Sequence, residues 1–260
     1  MKIASWNVNS IRSRLPRLLE YLAAARPDAL CLQELKCVDE AFPKAELAAA
    51  GYRAAFFGQP TYNGIAILAR EEPADVQRGL QDGVEDPQAR LLGATVGGVR
   101  IFSVYAPNGQ GVGSAAYTYK LEWYWRLKRF LEIHRPASGL FAVCGDFNVA
   151  PEDRDVYSPK LWEGRTMATA AERERFAALL EAGLVDSFRI HHPETGRYSW
   201  WDYRAGCFAR NFGLRIDHVL LSRELAARCT AADVDRDFRK GKTPSDHAPV
   251  WAECPAAPQA

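Results

Sequence analysis

The sequence has almost no net charge, no paired-cysteine motif and no long apolar run. Lys and Arg number 33 against 32 Asp and Glu, which gives a formal net charge of +1 at pH 7. A protein with so weak an overall field binds a polyanion only through a local basic patch. No stretch approaches the roughly 20 apolar residues of a membrane-spanning helix, and the first residues lack the apolar core of a signal peptide. We therefore expect a soluble cytoplasmic protein without membrane contact.

The six cysteines form neither a CxxC pair nor a dense framework. Four of them lie in apolar runs, where a free thiol behaves as a small buried hydrophobe. No cysteine cluster or histidine pair has the spacing of zinc ligands. These observations predict reduced thiols and exclude a zinc site.

What the sequence does have is enough apolar content to fill a large core, with 48% hydrophobic residues in a chain of 260. Hydrophobic patterns predict about ten strands, over residues 2–8, 29–33, 52–57, 64–70, 90–96, 99–105, 140–144, 198–203, 214–221 and 248–253. Helical spacing covers 15–22, a stretch closing at Gly51, about 117–134, and 171–182, with Gly183 as cap. Gly97 and Gly98 predict a tight hairpin. The order predicts an α/β fold with mixed sheets, one domain over 1–254 and a frayed tail over 255–260.

Polar clusters follow the ends of several predicted strands. They are Trp6-Asn7-Val8-Asn9, Gln33-Glu34, Gly145-Asp146-Phe147-Asn148 and Ser245-Asp246-His247, and a further acid, Asp217, lies inside an apolar strand. Strand ends are where α/β sheets bind ligands. Carboxylate and amide oxygens suit Mg²⁺ or Mn²⁺.

Each cluster also has an ordinary structural interpretation. Asn, Asp and Gly favour turns, Glu34 suits a solvated strand end, and Ser245-Asp246-His247 suits a cap. Asp217 is harder to explain in this way, because a buried carboxylate must be paired or hydrogen-bonded. Taken singly, none of these residues decides between the two interpretations.

The clusters occur together in an order and spacing that resemble the exonuclease III/apurinic-apyrimidinic endonuclease family of DNA-repair enzymes. The matching segments are Ser5-Trp6-Asn7-Val8-Asn9, Leu32-Gln33-Glu34-Leu35-Lys36, Val104-Tyr105-Ala106-Pro107-Asn108, Gly145-Asp146-Phe147-Asn148-Val149, Gly213-Leu214-Arg215-Ile216-Asp217 and Ser245-Asp246-His247-Ala248-Pro249. They span residues 2 to about 253. The resemblance implies a four-layer αββα sandwich, with two mixed sheets face to face and helices outside.

The resemblance also implies roles for these residues. Asp146, helped by Asn148, would orient and deprotonate the attacking water. Glu34 would be the principal Mg²⁺ ligand, with Asn7 and Asp246 on or near the metal. His247, held by Asp217, would bind the scissile phosphate, and Tyr105 and Asn108 would contact the phosphate or leaving group. In a rival scheme the His247–Asp217 pair activates the water.

For DNA binding, the resemblance places Trp200, Leu214 and Ile216 around a pocket for a flipped-out abasic sugar. Alternation along a strand sends Trp200 and Trp201 to opposite faces, so one of them is expected in the core. Arg210 and Arg215 would contact DNA phosphates. Lys36 and Arg12 are weaker candidates, for which solvated surface is the preferred interpretation.

Met167 occupies a position where relatives often carry a small residue. Some relatives with a bulky residue there resemble enzymes that trim 3′ ends and cut internal abasic sites poorly. A flexible methionine either blocks the pocket or folds aside. We expect Met167→Gly to raise internal abasic cleavage or leave it unchanged.

The sequence thus predicts a monomeric Mg²⁺-dependent nuclease acting on double-stranded DNA with abasic sites or blocked 3′ ends. It would cut 5′ to abasic sites, leaving 3′-hydroxyl and 5′-phosphate ends, and would have 3′-phosphodiesterase, 3′-phosphatase and 3′-5′ exonuclease activity. Within this activity, the alternative is mainly 3′-end processing. On the same fold, the alternatives are a phosphoesterase acting on inositol phosphates, lipids or RNA, and a catalytically inert nucleic-acid-binding regulator.

Overall fold

The computed structural model describes residues 1–255, so most of the tail predicted over 255–260 lies outside the described residues. Within the described chain, twelve strands form two six-stranded sheets. The strands are β1 (Lys2–Asn7), β2 (Ala29–Gln33), β3 (Arg53–Phe57), β4 (Ile65–Ala69), β5 (Ala74–Arg78), β6 (Leu91–Val96), β7 (Val99–Tyr105), β8 (Phe141–Asp146), β9 (Leu184–Asp186), β10 (Asp217–Ser222), β11 (Ala231–Val234) and β12 (Val250–Glu253).

Seven α-helices lie along the described residues, and three of them are long enough to cover a sheet. They are α1 (Ile11–Ala25), α2 (Lys44–Ala49), α3 (Ala115–Ile133), α4 (Pro159–Trp162), α5 (Ala170–Glu181), α6 (Ser187–His191) and α7 (Arg223–Ala226). Side-chain oxygens of Ser10, Ser114 and Thr169 cap α1, α3 and α5 by accepting from backbone N–H groups of the first turn. In the part of the chain that is described, no helix is long and apolar enough to cross a membrane.

Both sheets are mixed. The first has the order β11-β12-β1-β2-β4-β3 and the second β5-β6-β7-β8-β10-β9. Each has one parallel pair near its centre, β1 with β2 and β7 with β8, while the other pairs are antiparallel. The parallel pairs carry their carboxyl ends to one edge of the sandwich.

The two sheets pack face to face with helices outside, which confirms the four-layer sandwich. Ile3, Cys31 and Ile67 of the first sheet meet Ala142 and Val219 of the second in the central core. A second apolar layer lies between the second sheet and α3 and α5, and a third between the first sheet and α1. Because both faces of the central strands are buried, these strands are apolar at almost every position, as in residues 29–33.

Sequence periodicity located the central strands well, and β2 and β7 have the predicted bounds. Gly97 and Gly98 have φ values of 55° and 76°, so they form the hairpin turn that only positive φ permits. Three strands were not predicted, β5, β9 and β11, which are short or lie at a sheet edge.

All six cysteines are free thiols.

The predicted strand over residues 198–203 is wrong. Trp200 makes only isolated bridges, to Leu214 and to His247, and residues 214–216 likewise precede β10 rather than belonging to it. The two segments bond to each other through the backbones of Trp200 and Leu214, and the Trp201 N–H donates to the Asp246 carbonyl, so neither segment joins a continuous ladder. Trp201 is fully buried, as expected for one of the two tryptophans, and Trp200 is only partly buried.

Candidate active site

The polar strand ends meet at one edge of the sandwich. In the parallel pairs, Asn7 is in register with Gln33, which precedes Glu34, and Tyr105 is in register with Asp146. Asp217, at the start of the antiparallel β10, is in register with Asp146. The topology therefore places residues far apart in the chain around one small volume.

Asn7 links the acids of the two sheets. Its fully buried side-chain amide donates to Glu34 Oε1 at 2.8 Å and to Asp146 Oδ2 at 3.0 Å. The Tyr105 hydroxyl donates to the same Glu34 oxygen at 3.0 Å. Two carboxylates are thus held close together without a direct contact between their charges.

His247 lies between Asp217 and Asp146. Its Nδ1 is 2.9 Å from Asp217 Oδ2, and its Nε2 is 3.7 Å from Asp146 Oδ2. The Ser199 hydroxyl donates to Asp217 Oδ2 at 2.6 Å and accepts from the backbone N–H groups of Ile216 and Asp217. Asp217 therefore has the partners that its burial requires, and it orients the imidazole through Nδ1.

The pKa values of Asp146 and His247 are both shifted by burial and by neighbouring charges. Burial raises the pKa of Asp146 to about 7, despite the opposing effect of the His247 charge. Burial lowers the pKa of His247, but Asp217 and Asp146 outweigh it and raise the pKa to about 10. At neutral pH His247 is therefore a cation, while Asp146 can exchange a proton near that pH.

Glu34 and Asp246 stay ionised for similar reasons. Burial raises the pKa of Glu34, but hydrogen bonds from Lys36 and Asn7 bring it below its ordinary value. Burial also raises the pKa of Asp246. The charge of His247 and the hydrogen bonds from Asn9 and Trp200 outweigh burial, so the pKa lies below its ordinary value. The Asp246 oxygens accept from Asn9 Nδ2 at 2.9 Å and from Trp200 Nε1 at 3.0 Å.

Ligand atoms of Glu34, Asp146 and His247 lie within 4.8 Å of one another, and they are the one such group among residues 1–255. Carboxylate oxygens favour a hard divalent cation. The protonated imidazole is a hydrogen-bond donor and not a ligand. Asn7 presents its amide NH₂ group to the two acids, while its Oδ1 accepts from the Asn9 N–H, so its oxygen faces away from them.

Two asparagines close the site on the side of the second sheet. The Asn148 N–H donates to Asp146 Oδ1 at 2.8 Å, and its side chain donates to the Ala106 carbonyl at 3.0 Å. Asn108 Nδ2 in turn donates to Asn148 Oδ1 at 3.1 Å. The loops after β7 and β8 are therefore joined at their polar tips.

Several residues of this region have left-handed backbone conformations, which cost a non-glycine residue free energy. They are Asn9 (φ 45°), Glu34 (φ 53°), Lys36 (φ 53°), Asn148 (φ 51°) and Met167 (φ 76°). Ten other non-glycine residues of the described chain also have positive φ, so left-handed backbone does not by itself mark the site.

An apolar cluster adjoins the polar group. Met167, which is 8% exposed, packs with the buried Leu214 and Ile216 and with the partly buried Trp200 and Trp162. The predicted pocket residues therefore do lie together. Leu214 and Ile216 are closed off from solvent within this cluster, to which the Met167 side chain belongs.

The prediction that Arg215 contacts DNA is wrong. Its side chain is 1% exposed, and its guanidinium donates to Asp155 at 2.6 Å and to Asp186 at 2.7 Å. A buried, doubly paired guanidinium has no surface to offer a phosphate. Arg210 is exposed, with its guanidinium 4.2 Å from the centre of the Phe212 ring, so it remains a candidate DNA contact.

Sequence reasoning also underestimated or missed some residues. Lys36 is not a free surface lysine, because its ammonium pairs with Glu34 at 2.8 Å and donates to Asn9 at 2.6 Å. Ser199 and the buried Lys120 had no sequence signal beyond their position in otherwise apolar or aromatic segments. Arg12 is exposed, as expected for solvated surface.

Comparison with known proteins gives consistent results. The model of the Endonuclease/Exonuclease/phosphatase family matches residues 4–247. Exodeoxyribonuclease III of Haemophilus influenzae is 36% identical over 265 residues, covering 97% of this chain and 99% of its own.

Two solved structures are similar over nearly the whole fold. The 3′ phosphatase NExo from Neisseria, bound to a product DNA hairpin, is 44% identical with a TM-score of 0.96, covering 98% of this chain and 100% of its own. An AP endonuclease from Archaeoglobus fulgidus is 38% identical with a TM-score of 0.95, with the same coverage.

Proposed function

The chain belongs to the endonuclease/exonuclease/phosphatase family, and we propose that it hydrolyses phosphate esters at blocked 3′ ends and beside abasic sites in duplex DNA. It is a DNA-repair nuclease with 3′-processing activity, as its similarity to exodeoxyribonuclease III and to a 3′ phosphatase indicates. The main support for the proposed hydrolysis at 3′ ends and abasic sites is one observation. Four polar side chains lie together at one edge of the sandwich, those of Asn7, Glu34, Asp146 and His247.

The enzymes of this family depend on a divalent metal, and we propose Mg²⁺ for this chain. Glu34 is the principal candidate ligand, because it is ionised, partly exposed and next to a second carboxylate. Asp246 and Asn7 remain candidates nearby, although Asn7 would have to turn its amide to present oxygen. When bound, the cation would offset charge on the phosphate and the leaving oxygen.

Asp146 is the proposed base. Its pKa of about 7 lets it hold or release a proton at neutral pH, which is the property that a general base needs. The Asn148 N–H holds Oδ1, so Oδ2 is the oxygen that faces Asn7 and His247. A water at Oδ2 would give up its proton there as it attacks the phosphorus.

His247 is the proposed phosphate ligand. With Nδ1 held by Asp217, its Nε2–H points toward Asp146 and the open side of the site. An imidazolium with a pKa of about 10 donates to a phosphate oxygen but has no lone pair for a water proton. The charge state therefore supports Asp146 over the His247–Asp217 pair as the base.

Tyr105 and Asn108 are proposed as further phosphate or leaving-group contacts, since the Tyr105 hydroxyl bonds to Glu34 and the Asn108 side chain bonds to Asn148. We propose Trp200 and the exposed Arg210 as DNA contacts beside it. The protein would act on DNA as a monomer.

Internal abasic cleavage is the more restricted of the proposed activities, because the sugar pocket is filled. The buried Met167 contacts Leu214 and Ile216, so an extruded sugar must displace the methionine side chain. An abasic nucleotide has little stacking to lose on extrusion, which leaves displacement of Met167 as the main added cost. We propose that Met167 sets the ratio of internal cleavage to 3′-end processing.

The test uses two 5′-labelled duplexes, one with an internal abasic analogue and one with a 3′-phosphate at a nick, each with Mg²⁺ or EDTA. We expect Mg²⁺-dependent removal of the 3′-phosphate and slower incision 5′ of the abasic analogue. Rapid internal incision at the rate of 3′-end processing would contradict the role of Met167. No cleavage of either duplex under any divalent metal would overturn the proposed function and favour a DNA-binding protein.

A further inference from the structure

One face of α3 carries three polar side chains toward the loops around the site. Tyr117, Lys120 and Tyr124 follow one another at spacings of three and four residues, which places them on the same face of the helix. The Tyr117 hydroxyl is 2.7 Å from Thr169 Oγ1, and the Tyr124 hydroxyl donates to the Phe147 carbonyl. Lys120 lies between them, and its ammonium bonds to the carbonyls of Asn108 and Asn148.

The Lys120 ammonium is fully buried and bonded to three groups. Nζ donates to the carbonyl of Asn108 at 3.1 Å, to the carbonyl of Asn148 at 2.7 Å and to Glu172 Oε1 at 2.5 Å. An ammonium has three donors, so all are used. Lys120 thus ties together the backbones of the two asparagines that close the site.

Glu172, also fully buried, holds a third loop. Its Oε1 accepts from the Met167 N–H at 2.9 Å, and its Oε2 accepts from the N–H of Thr169 at 3.0 Å and from its hydroxyl at 2.7 Å. The Met167 carbonyl is fixed as well, since the Ala150 N–H donates to it at 2.7 Å. The left-handed conformation of Met167 is therefore held from both sides by hydrogen bonds.

We propose that Lys120 and Glu172 are a positioning pair that sets the phosphate-side asparagines and the Met167 loop relative to each other. This inference rests on the proposed function. Because the Asn108 and Asn148 side chains bond to each other and the Asn148 N–H bonds to Asp146, a shift of either carbonyl displaces groups that would contact the phosphate. A misplacement of about 1 Å in such groups costs roughly 100-fold in rate.

The pair's two halves have separable effects. Removing the ammonium in Lys120→Met frees both asparagine carbonyls, so kcat should fall about 100-fold on both duplexes while KM changes by less than about threefold. Glu172→Gln has one side-chain oxygen instead of two. It therefore cannot accept both from the Met167 N–H and from the Thr169 groups, and the loss of either set of hydrogen bonds releases the loop that contains Met167. For this variant we expect the ratio of internal to 3′-end cleavage to change more than the 3′-end kcat does.

A loss of stability alone must be distinguished from a loss of positioning. Leu127→Ala, on the same helix but in the apolar layer away from the loops, supplies a variant with a lowered Tm and intact loops. Lys128→Met removes a partly exposed ion pair with Glu132, about two helical turns beyond Lys120 on α3, and should change neither Tm nor kcat appreciably. Lys120→Arg keeps cationic donors, so its kcat should be at least about tenfold above that of Lys120→Met.

The experiment measures Tm, kcat and KM for the parent and these variants on both duplexes, at a temperature well below the lowest Tm. A kcat of Lys120→Met within threefold of the parent, or an equal loss in Leu127→Ala, would overturn the proposal. If Lys120→Met does not fold, Glu172→Gln decides it, because a pair with a purely structural role leaves the ratio of internal to 3′-end cleavage of this variant unchanged. A parent inactive on both duplexes would refute the proposed function itself, and the pair with it.

Discussion

Replacing Met167 by glycine tests the pocket directly. The substitution removes a side chain that is 8% exposed and packed against Leu214 and Ile216. It also places glycine at a φ of 76°, where an L side chain is strained. The change therefore opens the space proposed for an abasic sugar and relaxes the backbone of the loop at the same time.

The two effects on stability oppose each other. Truncating a buried methionine lowers the free energy of unfolding by about 2–5 kcal/mol. Glycine adopts the left-handed backbone conformation without the strain that a side chain causes, which recovers about 1–2 kcal/mol. The net loss should be about 2 kcal/mol. For a chain of this size that corresponds to a fall in Tm of roughly 4–8 °C.

The effect on internal cleavage follows from the cost of moving the side chain. Exposing a buried methionine costs about 1.5–3 kcal/mol, and the parent must meet part of this cost whenever a sugar enters. Without the side chain, kcat/KM on the internal abasic duplex should rise roughly tenfold, since about 1.4 kcal/mol is one factor of ten. Removal of a 3′-phosphate should change by less than about threefold, because that substrate does not require the full depth of the pocket.

The assay compares initial rates on the two duplexes for the parent, Met167→Gly and the control Leu179→Ala. Leu179 is fully buried in the layer under α5 and away from the pocket, so its truncation lowers Tm without opening the site. A rise in the ratio of internal to 3′-end cleavage confined to Met167→Gly is the expected result. A sharp fall, an unchanged ratio, or the same rise in Leu179→Ala would refute the reasoning.

Three further predictions concern the polar group and its support. Asp146→Asn should abolish the acidic limb of the pH–rate profile, because it removes the proposed base; a limb that survives in Asp146→Asn and disappears in His247→Gln would favour the rival base instead. EDTA should stop cleavage of both duplexes and Mg²⁺ should restore it, whereas in Glu34→Gln a higher Mg²⁺ concentration should be required; an unchanged Mg²⁺ requirement would contradict Glu34 as the principal ligand. Burial raises the pKa of Asp186, but Arg215 and its neighbours hold it below its ordinary value, so the stabilisation is present above about pH 4 and is lost as the pH falls further. Arg215→Met should therefore lower the unfolding free energy at pH 7 by about 3–5 kcal/mol and flatten its decline in acid, as denaturant titrations at several pH values would show; an unchanged acid decline would contradict the pairing.

Some features of this protein follow from local sequence. Hydrophobic runs locate β2 and β7, since a strand buried on both faces admits few polar residues. Two consecutive glycines place the hairpin between β6 and β7, because that turn needs positive φ at both positions. The polar residues at the ends of β1, β2 and β8 mark the site because strand ends and the loops that follow them are where a rigid sheet presents polar groups.

Other features depend on partners distant in the chain, which no local pattern specifies. Arg215 has the same side chain whether it meets DNA or a buried pair of acids, and Asp155 lies 60 residues away. Trp200 and its neighbours alternate like a strand, yet they bond to loops and not to a ladder. Lysine is a residue type common on the exposed face of a helix. Only the packing of α3 against the loops at Asn148 and Glu172 buries Lys120.

The chemical identity of the site was thus determined by the sequence, while its geometry was decided by the tertiary structure. Residue types and their order along the chain predict an acid- and amide-rich site at strand ends. The distances that divide the roles of Asp146 and His247, and the burial that shifts their pKa values, arise only when two sheets bring residues over 100 positions apart within about 4 Å. Met167 shows the same division, since its volume is visible in the sequence but its place inside the pocket is not.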